Sequence, residues 1–295
     1  MVMVMKLKLA CCLLLLSLAA NCALAEAALE PIPFSFDSAP YLPHEECFLP
    51  DQAGYHDDSI DIRIEKSRAY DTDYMAVYIR IADVSQIRCG LAADYPSQKT
   101  ATVLTMANRF NGVLTINGDY FNYHNQGIVV RNGEQLRFRP TPLRDTLVID
   151  DKGDFTILPQ TSKEDYEALG KNVVHAFCFG PWLVKDGVAI TNEQIQDSEA
   201  NVGKNKHTQR LALCQLDTLS YMVVCTEGPS GGDGSEGLTI EQLANLCRDL
   251  GAKNAYNLDG GNSAAVILNG EKLNNVNNTK RRMVGDCIYF CTLVP

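Results

Sequence analysis

The sequence predicts an α+β fold, with a core of mostly antiparallel or mixed β-sheet, a few helices and a single domain. Three observations predict it. Asn-Gly and Asp-Gly pairs stand beside apolar residues at Val130-Arg-Asn-Gly-Glu134, Val184-Lys-Asp-Gly-Val188 and Leu268-Asn-Gly-Glu271. Asn, Asp and Gly tolerate the positive φ that tight hairpin turns need. Ile60-Asp-Ile-Arg-Ile64 and Val77-Tyr-Ile-Arg-Ile81 alternate apolar and polar residues, the period of a half-buried strand. Helical spacing is confined to three short segments.

Along the chain, Lys6 and Lys8 precede an apolar run from Leu9 to Ala20, and Ala23-Leu-Ala25 offers small residues at a cleavage site. That run is too short to span a bilayer and reads as a signal peptide over residues 1–25. A lipoprotein reading through Cys22 is weaker, because Asn21 is large and polar where a small residue is needed. The mature protein is expected to start near Glu26 and to be secreted or exported to the cell envelope. Glu26 to Gly54 is Pro-rich and reads as an extended arm, and 26–100 as that arm plus the first strands. Residues 101–295 carry the motifs that suggest chemistry.

Thr100 to Phe110 is the first predicted helix, ended by Asn111-Gly112. Asp150-Asp-Lys-Gly-Asp154 reads as a longer hairpin. Lys163 to Leu169 is a short helix before Gly170. Ile240 to Leu250 carries the clearest helix signals: Thr239 as N-cap, Gln242 three residues on, and Gly251 just past the end. The chain then enters a strand at Ala255-Tyr-Asn-Leu258, with Asp259 at its end. Ser230-Gly-Gly-Asp-Gly-Ser235 reads as a flexible loop.

The formal net charge is −10, and −12 once Lys6 and Lys8 leave with the signal peptide. Such a chain has no general attraction for nucleic acid or anionic lipid, and no second apolar run approaches membrane length. An anionic substrate would need a local basic site. Eleven cysteines fall to eight in the mature chain, none in a Cys-x-x-Cys pair, so a zinc site is not expected. Export permits disulfides, but most of these cysteines lie in apolar runs and read equally well as small buried hydrophobes.

Four constellations could carry chemistry. Ile116-Asn-Gly-Asp-Tyr-Phe121 puts Asn117, Gly118 and Asp119 where a strand ends; the plain alternative is an Asn-Gly turn. In Asn257-Leu-Asp-Gly-Gly-Asn-Ser263, Asn257 and Asp259 point to one side of a strand. Gly260 and Gly261 then allow a ligand close approach, while Asn262 and Ser263 add hydrogen-bonding groups. Arg210 starts an apolar run and offers a planar clamp for an anion, or is a surface arginine. Glu227 ends another strand, as a second carboxylate or a solvated one. Together they suggest a cleft at a sheet rim. Paired carboxylates suit glycosidic cleavage, and an arginine suits an anionic leaving group. The same oxygens could hold calcium or magnesium, although no metal is required.

These motifs resemble the phosphodiester glycosidase family, on the side of its bacterial, exopolysaccharide-related exported members. Ile116 to Phe121, Val129 to Gly133, Phe179-Gly-Pro-Trp-Leu-Val184, Arg210, Gly237 to Leu243, Asn257 to Gly261 and Arg281 to Ile288 follow in family order. The resemblance covers roughly Ala101 to Phe290 and implies a phosphodiester glycosidase-like catalytic region over 101–295. Two positions depart. The family has Arg-Thr-Ala where this chain has Arg210-Leu-Ala212, and Asp-Gly-Arg where this chain has Thr226-Glu-Gly228. If the missing arginine binds phosphate, the leaving group differs or activity is lost.

The expectation is an exported hydrolase acting on a sugar-1-phosphodiester. Asp259 is the first catalytic carboxylate, and Asp119 or Glu227 the second. Arg210 faces the anion, and Asn117, Asn262 and Ser263 hydrogen-bond the sugar. The competing expectations are a glycan-binding or cell-envelope module without activity, and a metal-dependent phosphodiesterase. Asn277-Asn-Thr279 is a glycosylation sequon, meaningful only on a eukaryotic secretory route.

Overall fold

Alternation along single strands explains the layering in this computed structural model. In the strand Leu211–Asp217, Leu211 and Leu213 join one apolar cluster while Ala212 and Cys214 join another. Val223 and Val224 divide the same way. Both faces of this part of the sheet are covered, so its strands read as continuous apolar runs rather than as alternation.

The structure describes residues 29–195, 202–229, 231, 234–275 and 282–295. The signal-peptide region, the centre of the Ser230–Ser235 loop, the sequon and Arg281 lie outside the described residues. By backbone contact the chain divides into Met1–Glu30 and Pro31–Pro295, and the described strands and helices all belong to the second unit.

Three large sheets and one two-stranded sheet lie in that unit. The largest has eight strands in the order Gly54–His56, Ile60–Ala69, Thr72–Ile81, Ser220–Thr226, Leu211–Asp217, Asn254–Asn257, Trp182–Lys185 and Val188–Ala189. A second has five: Phe155–Leu158, Thr146–Asp150, Val173–Phe177, Gly127–Arg131 and Glu134–Arg139. The third also has five: Glu271–Lys272, Val266–Leu268, Leu114–Asn117, Asp286–Phe290 and Ile87–Leu91. All pairings among the described strands are antiparallel. The main core gathers Ile62, Val77 and Leu213 from the first sheet, Leu147 and Phe177 from the second, and Ile116 and Ile288 from the third. Strands before residue 100 thus share sheets with strands after it.

The three glycine hairpins form as expected, with Asn132, Asp186 and Asn269 at φ 50°, 52° and 47° and a positive-φ glycine after each. Helix α1 (Val103–Phe110) is shorter at its start than expected: Thr102 is its cap, and Ala101–Thr102 pairs with Met283–Val284 instead. Helix α2 (Lys163–Glu167) starts from a capping box at Ser162 and Asp165. Helix α3 (Ile240–Asp249) has the expected box of Thr239 and Gln242, and buries Leu243, Leu246 and Cys247 against the eight-stranded sheet. The arm is tied down where the Arg88 guanidinium donates to the carbonyls of Pro33, Ser35 and Ser38. All eight described cysteines are free, and seven are buried.

Candidate functional site

Tyr256 and Leu258 pack into the main core, so Asn257 and Asp259 lie on the other side of the chain. Both line an open cleft of about 560 Å³ at the end of the strand Asn254–Asn257. The turn after Asp259 is fixed by a second chain segment. Gly261 donates its N–H to the Gln209 carbonyl at 2.9 Å, and a β-carbon at Gly260 would lie 2.7 Å from that same oxygen. Glycine is needed there for close approach, and at Gly261 for a φ of 56°.

Asn117 locks the turn from the other side. Its Nδ2 donates to the Asp259 carbonyl at 2.7 Å, and its Oδ1 accepts the Ala265 N–H at 3.0 Å. The Asp259 N–H in turn donates to the Gly118 carbonyl at 3.3 Å. At Gly118 any β-carbon would overlap the Asp286 carboxylate. Asn117 and Gly118 therefore act on the turn and do not line the cleft.

The Asp259 side chain is partly buried. Burial raises its pKa from 3.8 to about 6, against the opposing pull of the Ser263 hydroxyl and the Arg282 charge; the Asp119 charge adds to the rise. Asn262 and Ser263 line the cleft as expected. Two aromatic rings form a wall, Tyr120 and Phe179, edge to face with centroids 6.3 Å apart. Two exposed cations, Lys206 and Arg282, stand at the rim.

The other expected residues take different places. Arg210 lines the cleft, but its guanidinium donates to four backbone carbonyls, of Leu238, Val202, Gly203 and Lys206, at 2.8–2.9 Å. It holds the 202–206 loop, and burial lowers its pKa to about 10. Asp119 is sealed: Oδ1 accepts from Arg131 Nη2 at 2.8 Å and Oδ2 accepts the Cys178 N–H at 2.8 Å. Asp286 completes that cluster, accepting from Arg131 Nε at 2.9 Å. Glu227 is buried away from the cleft and accepts the Asn275 N–H at 2.7 Å. Asp119 and Glu227 were expected as partners of Asp259, yet neither lines the cleft, because each strand end turns its carboxylate toward an internal donor. Among the described residues, no three His, Cys, Asp or Glu side chains gather as a cation would require.

Sequence reasoning missed Lys206, Arg282, Tyr120, Phe179 and the cleft role of Asn257. Asn257 carried a readable signal, its register with Asp259. Its Nδ2 donates to the Gly180 carbonyl at 2.9 Å, and its buried Oδ1 has no protein partner. Arg282 and Lys206 sit in loops whose approach to the turn no local pattern encodes.

The model of one family, phosphodiester glycosidase, matches residues 110–291, more than half of the chain. The SPbeta prophage-derived protein YomE of Bacillus subtilis (strain 168) is 27% identical over 192 residues, 63% of this chain and 29% of that protein. The chain thus spans under a third of that relative's length. The catalytic domain of zebrafish N-acetylglucosamine-1-phosphodiester alpha-N-acetylglucosaminidase, in a form auto-inhibited by its pro-peptide, shares the fold at a TM-score of 0.64 and 18% identity, over 81% of this chain and 86% of that one. A Synechocystis protein matches at a TM-score of 0.55 and 16% identity, over 80% of this chain and 62% of that one.

Proposed function

The chain belongs to the phosphodiester glycosidase family, and from that premise we propose an exported hydrolase that cleaves the bond between a sugar anomeric carbon and a phosphodiester oxygen. One observation carries the reading. The cleft gathers one titrating carboxylate, Asp259, with an aromatic wall on one part of its lining and two cations at its rim.

Each group suits one part of such a substrate. Tyr120 and Phe179 offer faces on which a sugar ring packs. Asn262, exposed in the cleft lining, and the Ser263 hydroxyl offer hydrogen bonds to sugar hydroxyls. Lys206 and Arg282 balance the phosphodiester charge, the task expected of Arg210, whose donors the 202–206 loop occupies. They also answer the departure at Thr226-Glu-Gly228, since phosphate charge is met from other loops.

In the reaction, a water oxygen bonds to the anomeric carbon as the bond from that carbon to the phosphate oxygen breaks. The electron pair leaves on phosphate. The water proton passes to the ionised Asp259 carboxylate, which also favours the oxocarbenium-like centre. A phosphodiester sugar needs little help from an acid, because phosphate is a stable anion. A single cleft carboxylate therefore suffices, and no metal or other cofactor is needed.

The test is incubation with a panel of sugar-1-phosphodiesters. Free sugar and a released phosphomonoester support the reading. A sugar that keeps its phosphate would mean phosphodiester cleavage instead, and binding without release would mean a glycan-binding module.

A further inference from the structure

Beside the turn that carries Tyr120 lies a second recess, of about 180 Å³. Its lining includes Tyr95, Gln98, His124, Asn125, Arg137 and Arg139, and no described lining residue is a carboxylate. Its two charged side chains are both arginines, in a chain of net charge −10. Arg137 is 7% exposed, yet its donors reach the carbonyls of Phe121 and His124, the His124 ring and the Cys178 sulfur, and its Nε has no partner. Arg139 is exposed and donates to the Asn125 carbonyl. Among the described residues neither guanidinium forms an ion pair.

Burial lowers the His124 pKa to about 4, and the charges of Arg144 and Arg137 push the same way. Asp119 is the carboxylate that opposes them, and its oxygens are engaged by Arg131 and the Cys178 N–H. A buried guanidinium without a counter-charge is costly, and an external anion would relieve it. The recess also adjoins the cleft through stacked rings. Tyr120, in the cleft wall, stacks on the exposed Tyr123 at 4.2 Å, and His124 follows directly. An aromatic step of this kind suits a sugar passing from one site to the other.

We infer that this recess is an anion-binding subsite, taking the phosphate or carboxylate of a second sugar in a charged glycan. Its occupancy does not depend on hydrolysis, whereas its role in substrate length rests on the function proposed above.

The binding test uses the full chain with Lys206→Gln and Arg282→Gln, so that anions no longer favour the cleft. Glucose 6-phosphate and inorganic phosphate are titrated by calorimetry, with glucose as control. Both anions should bind and glucose should not. Adding Arg139→Gln, an exposed position, should weaken binding about tenfold, as loss of a charge-assisted hydrogen bond does. The His124 midpoint, followed by NMR, should rise when inorganic phosphate binds. Unchanged affinity in Arg139→Gln, equal binding of glucose, or an unmoved His124 midpoint at saturating phosphate would overturn the inference.

A second arm uses active enzyme. Arg139→Gln should raise KM for a phosphorylated oligosaccharide substrate about tenfold and leave kcat for a methyl sugar-1-phosphodiester unchanged. Equal KM values would overturn the subsite's part in substrate length. Failure of all hydrolysis would instead count against the proposed function and leave the binding result standing.

Discussion

Burial at the Asp259 turn disfavours the charged carboxylate. The hydrolysis proposed above uses that charged form as its base, so activity should rise as pH passes up through about 6. A pH profile of kcat/KM with no acid limb near there would remove Asp259 from the chemistry. Asp259→Asn should lower kcat by at least about a thousandfold while circular dichroism stays unchanged. The same shift has a cost in stability. A carboxylate whose folded pKa lies above its unfolded value stabilises the fold at low pH and loses that contribution as pH rises through the folded pKa. The wild-type protein should therefore lose about 2 kcal/mol relative to Asp259→Asn between pH 4 and pH 7.5, a figure kept below the full shift because the side chain is partly exposed. Chemical unfolding of both proteins at the two pH values measures it. The sequence made Asp259 legible because an acid between an apolar run and two glycines has no packing purpose. It could not reveal that Asp119 is sealed, since Asp119 occupies the same kind of strand end and differs only in meeting Arg131.

Elements were legible where local chemistry dictates them. Asn-Gly and Asp-Gly fix the three hairpins, and Thr239 with Gln242 fixes the start of α3. The longest hairpin was only half visible. Ile60–Ala69 pairs with Thr72–Ile81 through Tyr70 and Asp71 at φ 50° and 52°, a turn without glycine, so the alternation at either end gave no sign that the two strands are one ribbon. Arg210 belongs to this scale too. Its four carbonyl contacts tie the 202–206 loop and Leu238, just before α3, to the strand that begins at Leu211. Lysine can satisfy fewer carbonyls and lacks the planar fork. Arg210→Lys should destabilise the protein by about 2–3 kcal/mol and, by loosening the loop that carries Lys206, raise KM more than it lowers kcat. A large loss of kcat with unchanged thermal stability would make Arg210 a direct contact to the reacting atoms instead.

At the scale of the whole molecule, Arg131 joins two sheets. It leaves the strand Gly127–Arg131 of one five-stranded sheet and meets Asp119, beyond the end of Leu114–Asn117, and Asp286, at the start of Asp286–Phe290, in the other. Its guanidinium also lies 4.2 Å from the centroid of Phe177 and donates to the Ala176 carbonyl at 2.5 Å. Two buried carboxylates keep it charged, and burial raises Asp286, with the Arg131 charge drawing it back and the Asp119 charge raising it further. No sequence pattern announces this, because the three residues stand in separate segments and the pairing exists only once the sheets pack. Removing the arginine leaves two carboxylates sealed from water and facing each other. Arg131→Met should cost about 3–5 kcal/mol, the range for breaking a buried ion pair. The loss should deepen with pH: unpaired buried carboxylates take up protons on folding, so the variant's stability falls as pH rises from 5 to 8 more steeply than that of the wild-type protein. Restoring neutrality with Asp119→Asn and Asp286→Asn in the same chain should flatten that slope even if absolute stability stays low. Urea unfolding across the pH range distinguishes the cases, and parallel slopes for wild type and Arg131→Met would mean the cluster is held by packing on Phe177 rather than by charge.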